Sequence, residues 1–139
     1  MNKQPFKKTI NIRWSDTDKN GHVNNGKYFD YFEEARTQWV YAFKKLINWS
    51  IENSIQFVVA EQSCKYMYPL LHPNTIEVTQ YVSRIGAASI EFKYEIRILG
   101  NDRIVTTAYS KLACYNLKTA RLEKIPNDIK QATLEDYYE

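Results

Sequence analysis

The sequence has few residues that break or crosslink a chain. Among its 139 residues are four glycines, four prolines and two cysteines. The low glycine and proline content argues against a disordered protein, and 44% hydrophobic residues are enough to form a core. Because no Pro-, Gly- or Ser-rich stretch divides the chain, we expect one domain spanning residues 1–139.

The two cysteines and the apolar residues are scattered. Cys64 and Cys114 are each isolated in a strand-like segment, which favours two reduced core thiols over a disulfide or a metal site. The polar amino terminus lacks the apolar stretch of a signal peptide, and no run of about eighteen apolar residues occurs. We therefore expect a cytoplasmic protein that does not associate with a membrane.

The charges are nearly balanced and mixed along the sequence. Nineteen Lys and Arg residues against sixteen Asp and Glu residues give a net charge of +3. Such a balance does not indicate nucleic-acid binding, and the eleven tyrosines occur without an RNA-binding motif. We expect a globular protein that does not bind nucleic acid.

The segment richest in side chains that can take part in catalysis runs from Trp14 to Arg36 and reads WSDTDKNGHVNNGKYFDYFEEAR. It places two aspartates, a histidine and paired asparagines directly before an aromatic-rich helix. The first N–H groups of a helix lack partners within it, so they can stabilise an oxyanion while a nearby carboxylate acts on the reacting carbon. The residues that fit these roles are Asp18, His22, Asn24 and Asn25.

A calcium-binding loop is the main alternative for this segment. Positions 1, 3, 5 and 6 of an EF-hand pattern are filled here by Asp16, Asp18, Asn20 and Gly21. Position 12 needs a bidentate glutamate but is Lys27, whose ammonium group would repel the ion. The preceding segment also alternates, with one apolar side made of Ile10, Ile12 and Trp14, which predicts a strand and not an entering helix.

Apolar residues recur at steps of three and four after the asparagine pair: Tyr28, Phe32, Ala35, Trp39, Phe43 and Leu46. This spacing predicts one amphipathic helix from Asn25 to about Ile47, followed by a short helical turn over Asn48 to Ser54. The side-chain oxygen of Asn24 or Asn25 can cap this helix, which explains one of the two asparagines.

Four later segments alternate in the manner of strands, near Gln56 to Tyr68, Thr75 to Arg84, Ser89 to Leu99 and Arg103 to Asn116. Their short connections predict an antiparallel meander, with a tight hairpin turn at Gly100-Asn101-Asp102. The third segment has one apolar face, which the amphipathic helix is suited to cover. We therefore predict an α+β protein whose sheet wraps around the helix, with a short terminal helix between Pro126 and Tyr138.

The pattern D-x-D-x-x-G-H-V-N-N before an aromatic-rich helix, present here from Asp16 to Asn25, resembles that of the hotdog-fold acyl thioesterases, particularly the 4-hydroxybenzoyl-CoA thioesterase-like branch. The resemblance implies a five-stranded antiparallel sheet around a long central helix, and hydrolysis of an acyl-CoA to the free acid and coenzyme A. It also implies that Asp18 is the catalytic carboxylate and that the N–H near Asn25 binds the carbonyl oxygen. A homodimer or homotetramer, with sheets joined edge to edge, is implied as well.

The chemistry leaves several alternatives open. An aspartate is ionised at neutral pH, so Asp18 can attack a thioester carbonyl directly or deprotonate a water that attacks it. No metal or organic cofactor is required for either route. Asp18 could instead only shape the turn at Gly21. His22 could polarise the water, hold the substrate or simply pack the loop.

Further candidates for substrate binding follow from the resemblance. Asn20 and His22 match residues of the plant-type acyl-ACP thioesterases, and Ser89 lies in a small-residue turn that is near the pantetheine in relatives. Asn24 and Tyr28 belong to the loop and helix start, while Glu61 and Ser63, together with Tyr66, would line the pocket of a partner subunit. Two other functions remain possible: release of an acid from acyl carrier protein, and binding of acyl thioesters without turnover.

Overall fold

The computed structural model describes residues 4–136, and within this range it contains three helices and six strands. The helices are α1 (Lys27–Ala42), α2 (Lys44–Glu52) and α3 (Asn127–Asp136). The strands are β1 (Phe6–Asn11), β2 (Ile55–Tyr66), β3 (Thr75–Ile85), β4 (Ser89–Ile98), β5 (Thr106–Asn116) and β6 (Arg121–Leu122). A 3-10 turn, Trp14–Asp16, separates β1 from the loop that precedes α1.

All strand pairs are antiparallel, and the sheet order is β1-β3-β4-β5-β2, with the two-residue β6 beside β5. Strands β3, β4 and β5 form the predicted meander. Strand β2 is present as predicted, but its place in the meander was wrong, because it pairs with β5 and not with β3. Residues 67–74, which join β2 to β3, are too many for a tight hairpin and allow the chain to cross to the far side of the sheet.

The connection between β4 and β5 is also longer than predicted. Gly100 adopts the left-handed backbone conformation expected of a turn glycine, with φ of 84°. However, β4 ends at Ile98 and β5 begins at Thr106, so residues 99–105 form an extended loop. The tight hairpin predicted at Gly100-Asn101-Asp102 was therefore wrong.

The predicted apolar faces meet in the core. Trp39 of α1 is 1% exposed and its ring lies 5.2 Å from that of Phe92 on β4. Phe32 packs against Tyr94 with ring centroids 4.8 Å apart. Burial of two such aromatic pairs between one helix and the central strand contributes several kcal/mol, on the order of 1.5–3 per side chain. The curled sheet thus wraps around α1.

The single helix predicted from Asn25 to Ile47 is divided into α1 and α2. Phe43 interrupts it with φ of −93° and ψ of 86°, and its N–H bonds to the carbonyls of both Trp39 and Val40. Since Phe43 and Leu46 are both buried, the apolar spacing continues through the break and conceals it in the sequence. The segment predicted as a separate short turn belongs largely to α2.

Two further predictions concern the ends of the described chain. Trp14 does not continue the side of β1 that carries Ile10, because the chain turns after Ile12 and leaves the Trp14 side chain 65% exposed. The terminal helix is present as α3, with Ile129 buried against the core. The part of this prediction that reached Tyr137 and Tyr138 lies outside the described residues.

Candidate active site

A short ribbon holds the loop between the 3-10 turn and α1. Thr17 and Val23 pair as an antiparallel bridge, and the Asp18 N–H donates to the His22 carbonyl at 2.8 Å. Gly21, with φ of 78°, closes the turn at its tip. A second connection, from Val23 N–H to the Leu70 carbonyl at 2.9 Å, ties the ribbon to the segment after β2. These bonds fix Asp18 beside the residues that follow β2.

Asp16 is the anchor of the loop. Its side chain is 1% exposed and accepts hydrogen bonds from the Arg13 backbone N–H at 3.0 Å, the Arg13 guanidinium at 2.9 and 3.2 Å, and the Tyr31 hydroxyl at 3.0 Å. Burial alone would raise the pKa of the Asp16 carboxyl, but the bonds from Arg13 and Tyr31 bring this pKa below its ordinary value. Burial and the neighbouring carboxylate both raise the pKa of Tyr31.

This lowered pKa predicts how stability depends on pH. The carboxylate of Asp16 stabilises the fold above the ordinary aspartate pKa of 3.8, and this contribution is lost as the pH falls through the lower folded-state pKa. We expect Asp16→Asn to reduce the free energy of unfolding by roughly 2 kcal/mol at pH 7. Urea denaturation at pH 7, 5 and 3 checks this. If the free energies of unfolding of Asp16→Asn and the native protein differed as much at pH 3 as at pH 7, the lowered pKa of Asp16 would be contradicted.

Four of the predicted residues line one cavity of about 280 Å³ at the start of α1: Asp18, His22, Asn25 and Tyr28. The Asp18 side chain is exposed, and its Oδ1 accepts a hydrogen bond from the Asn20 N–H at 2.9 Å. The turn-shaping role considered for Asp18 is therefore real. It leaves Oδ2 without a partner among the described residues, so the carboxylate can also act on a bound molecule.

The backbone at Asn24 and Asn25 offers a free donor to this cavity. The Asn24 N–H donates to the Asp16 carbonyl, and the Asn24 carbonyl accepts from the Lys27 N–H, both at 2.9 Å. The Asn24 side chain accepts from the Gly26 N–H at 3.0 Å. Between these bonds, the Asn25 N–H finds no acceptor within residues 4–136. A helix-start N–H left free in this way can stabilise an oxyanion.

The prediction that the side chain of Asn24 or Asn25 caps α1 was wrong. The N-cap position is Gly26, which makes no side-chain cap bond itself. The Asn24 side chain accepts from the Gly26 N–H, which forms a turn just before the helix and does not cap the first turn of α1. The side chain of Asn25 makes no hydrogen bond within the described range, and only the backbone of this residue is held.

Tyr66 is part of the same cavity, which differs from its predicted position in a partner's pocket. Its hydroxyl donates to the Asn25 carbonyl at 2.8 Å, and its ring lies 4.8 Å from that of Tyr28. Burial, together with a hydrogen bond to Cys64, raises the pKa of Tyr66 to about 12, so the hydroxyl remains a donor at neutral pH. Burial also raises the pKa of Tyr28.

The other predicted substrate-binding residues do not line this cavity. Asn20 lies at the exposed tip of the ribbon, and the Asn24 side chain bonds the Gly26 N–H within the loop. Glu61 and Ser63 are exposed on β2, and Ser89 lies at the turn between β3 and β4, where its carbonyl accepts from the Gly86 N–H at 2.8 Å. Within the single chain, the structure does not bring these residues to Asp18.

Sequence reasoning missed the wall formed after β2, where Met67, Tyr68 and Pro69 line the cavity. The sequence signal available was a pair of tyrosines, Tyr66 and Tyr68, at the end of a predicted strand and directly before Pro69. Their position beside Asp18 depends on the bond between Val23 and Leu70, which joins residues far apart in sequence. Across residues 4–136, no group of three or more His, Cys, Asp or Glu side chains is arranged to hold a metal ion.

Similar proteins point to one family. A model described as the thioesterase-like superfamily matches residues 12–133. YsmA of Bacillus subtilis, an uncharacterized protein, is 34% identical over 89 residues, which cover 64% of this chain and 58% of YsmA. The acyl-CoA thioesterase YbgC of Haemophilus influenzae is 27% identical over 131 residues, covering 91% and 93%. The long-chain acyl-CoA thioesterase FadM of Escherichia coli is 23% identical over 122 residues, covering 88% and 92%.

Solved structures confirm the predicted hotdog fold. The PA2801 protein of Pseudomonas aeruginosa is 29% identical with a TM-score of 0.81, covering 93% of this chain and 98% of that one. The SAV2348 protein of Staphylococcus aureus, solved in complex with CoA, has a TM-score of 0.88 at 17% identity, covering 99% and 86%. At that identity, the second match shows the fold alone.

Proposed function

Because the chain belongs to the thioesterase-like superfamily, we propose that it is an acyl-CoA thioesterase, which hydrolyses an acyl-CoA to a free carboxylic acid and coenzyme A. The observation that carries this proposal is the cavity at the start of α1, where the Asp18 carboxylate and the unpaired Asn25 N–H lie together. The similarity to YbgC and FadM supports an acyl-CoA substrate. The catalytic unit is a single hotdog domain formed by residues 1–139.

The reaction proceeds at the thioester carbonyl. The Asn25 N–H donates a hydrogen bond to the carbonyl oxygen and stabilises the negative charge that forms on it. In one route Asp18 takes a proton from water, the hydroxide adds to the carbon, and the C–S bond breaks. The departing thiolate then takes the proton from Asp18. In the other route the Asp18 carboxylate adds to the carbon and expels the thiolate, and water hydrolyses the resulting anhydride.

The remaining residues of the cavity contact the substrate. His22 is exposed at its mouth, where it can hold the substrate or polarise the water. Tyr28 and Tyr66 form an apolar and aromatic wall that suits the acyl group. Asn20 and Asn24 stabilise the loop through their hydrogen bonds to Asp18 and Gly26. As the family resemblance implies, Ser89 in its small-residue turn contacts the pantetheine arm of the acyl-CoA.

The protein acts as a homodimer or a homotetramer, with Glu61 and Ser63 of one subunit reaching the site of the next. Among the described residues, β2 pairs on one side with β5 and has no strand on its other edge. Such an edge of twelve residues is commonly covered in native proteins. Beside β2, the buried Arg36 has one hydrogen bond, at 3.5 Å to Tyr94, and no salt bridge within residues 4–136. Buried charges are normally paired, so a carboxylate from a second subunit would complete this region.

We expect Val58→Lys to weaken the dimer. Val58 lies on the open edge strand and is 41% exposed, so the substitution places a charge on each of two strands that would meet. Analytical ultracentrifugation at micromolar concentration should show a native dimer or tetramer and a lighter variant. Leu99→Lys, at an exposed loop residue after β4, is the matched control. A monomeric native protein would contradict the proposed assembly.

A cytoplasmic location completes the proposal. Both cysteines are free, with Cys114 buried and Cys64 half-buried, and reduced thiols are typical of cytoplasmic proteins. None of the helices in the described part of the chain has the length and apolar character needed to cross a membrane.

Thiol release from short, medium, long and aromatic acyl-CoAs, compared with matched acyl-ACPs, tests the proposed activity. We expect turnover of at least one acyl-CoA, and the preferred member then identifies the acyl group that fits the cavity. Faster turnover of the acyl-ACPs would favour the carrier-protein alternative. Tight binding of an acyl-CoA without release of thiol would favour a binding module and contradict the proposal.

A further inference from the structure

The direction of the Asn25 N–H is set by a chain of hydrogen bonds that begins away from the cavity. The Asn24 carbonyl and the Asn25 N–H belong to one planar peptide unit and point in opposite directions. Because the Asn24 carbonyl accepts from the Lys27 N–H at the start of α1, the Asn25 N–H is directed away from the helix. Any movement of residue Asn24 therefore turns the donor.

Asn24 is held on its other side by Asp16. The Asn24 N–H donates to the Asp16 carbonyl at 2.9 Å, and the Asp16 side chain is in turn tied to α1 by the Tyr31 hydroxyl at 3.0 Å. Tyr31 and Asp16 are both buried, at 4% and 1% exposure. Tyr31 lies one helical turn after Lys27, so both ends of this chain of bonds are fixed to the same rigid helix.

We propose that Tyr31 is a positioning residue, which acts through Asp16 and Asn24 to fix the direction of the Asn25 N–H in the cavity. The inference rests on the proposed function, because the value of a fixed donor lies in the stabilisation of an oxyanion. Tyr31 does not line the cavity that contains Asp18. Its effect on catalysis is therefore through the geometry of the donor.

Tyr31→Phe removes one hydroxyl and preserves the ring that fills the core. Tyr109→Phe is the matched control, because the Tyr109 hydroxyl also donates to a carboxylate, Glu91, at 2.7 Å, but on a different part of the sheet. The first measurement is the amide spectrum of the 15N-labelled protein, which needs no turnover. We expect the Asn25 amide resonance to shift in Tyr31→Phe and to stay in place in Tyr109→Phe. An unchanged Asn25 amide in Tyr31→Phe would overturn the inference.

Kinetics form the second measurement. We expect kcat of Tyr31→Phe to fall by about 10- to 100-fold, as misplacement of a group in an active site does, with KM within about twofold and a Tm somewhat below that of Tyr109→Phe, because the lost bond to Asp16 is buried. In the double variant, Asp16→Asn should lower kcat little beyond the loss caused by Tyr31→Phe, since both substitutions act on the donor through one chain of hydrogen bonds. A fall in Tm without a fall in kcat would assign Tyr31 to stability and overturn the inference. Failure of the proposed function shows separately, as native protein that releases no thiol.

Discussion

Asp18→Asn is expected to lower kcat for acyl-CoA hydrolysis by about 10²- to 10⁴-fold, the range typical of a lost general base or nucleophile. The substitution removes the charge but leaves an Oδ1 atom that can accept the hydrogen bond from the Asn20 N–H. The turn at Gly21 is therefore preserved, and the loss reports the chemistry of the carboxylate. Steady-state thiol release with the preferred acyl-CoA measures it.

Two further variants make this result specific. Asp18→Ala loses both the charge and the turn bond, so the difference between the alanine and asparagine variants gives the contribution of the turn. Asp102→Asn, an exposed aspartate in the loop between β4 and β5, is expected to retain native kcat. If Asp18→Asn were as active as the native protein, Asp18 would have only its structural role, and another group would activate the water.

The parts of the fold that depend on local spacing were predictable from the sequence. The apolar stripe that includes Phe32 and Trp39 identified the central helix, because each turn of a helix repeats the same face. The alternation of β4 identified the strand that packs on it. The break at Phe43 was not predictable, since a backbone that leaves helical geometry while keeping the side chain in the core does not disturb the apolar spacing.

Non-local pairing accounts for most of the remaining errors. Alternation predicted β2 as a strand, but it contains nothing that selects β5 over β3 as its neighbour, because the choice depends on how the whole sheet curls. Likewise, the D-x-D pattern drew attention to Asp16 and Asp18 but not to the difference in their environments. That difference arises from Arg13 and Tyr31, which surround one carboxylate and leave the other exposed.

Only the part of the candidate site that lies in the loop before α1 and in the first turn of α1 was predictable from the sequence. Asp18, His22, Asn25 and Tyr28 are close in sequence, and a short ribbon followed by a helix places them together for local reasons. Glu61, Ser63 and Ser89 were assigned through the resemblance, and in one chain they lie elsewhere. The proposed contacts of Glu61 and Ser63 with the substrate depend on a second subunit, and that of Ser89 depends on the pantetheine arm reaching the turn between β3 and β4.

Asn25→Pro is the direct test of the oxyanion donor, and we expect it to lower kcat by about 10²- to 10³-fold, the loss typical of one such donor. Proline lacks the backbone N–H, and Asn25 precedes the N-cap Gly26, so its N–H takes no part in the hydrogen bonds of the helix. The Asn25 carbonyl, which accepts from Tyr66, is retained. Circular dichroism and Tm confirm that the variant folds before thiol release is measured.

Asn25→Ala separates the backbone from the side chain. The Asn25 side chain makes no hydrogen bond among residues 4–136, so the alanine variant, which keeps the N–H, should retain kcat within a few-fold of native. A large loss in both variants would assign the contribution to the amide side chain and not to the backbone. Native activity in Asn25→Pro would show that a different donor stabilises the oxyanion, and the first turn of α1 would then be the place to find it, because its other N–H groups point the same way.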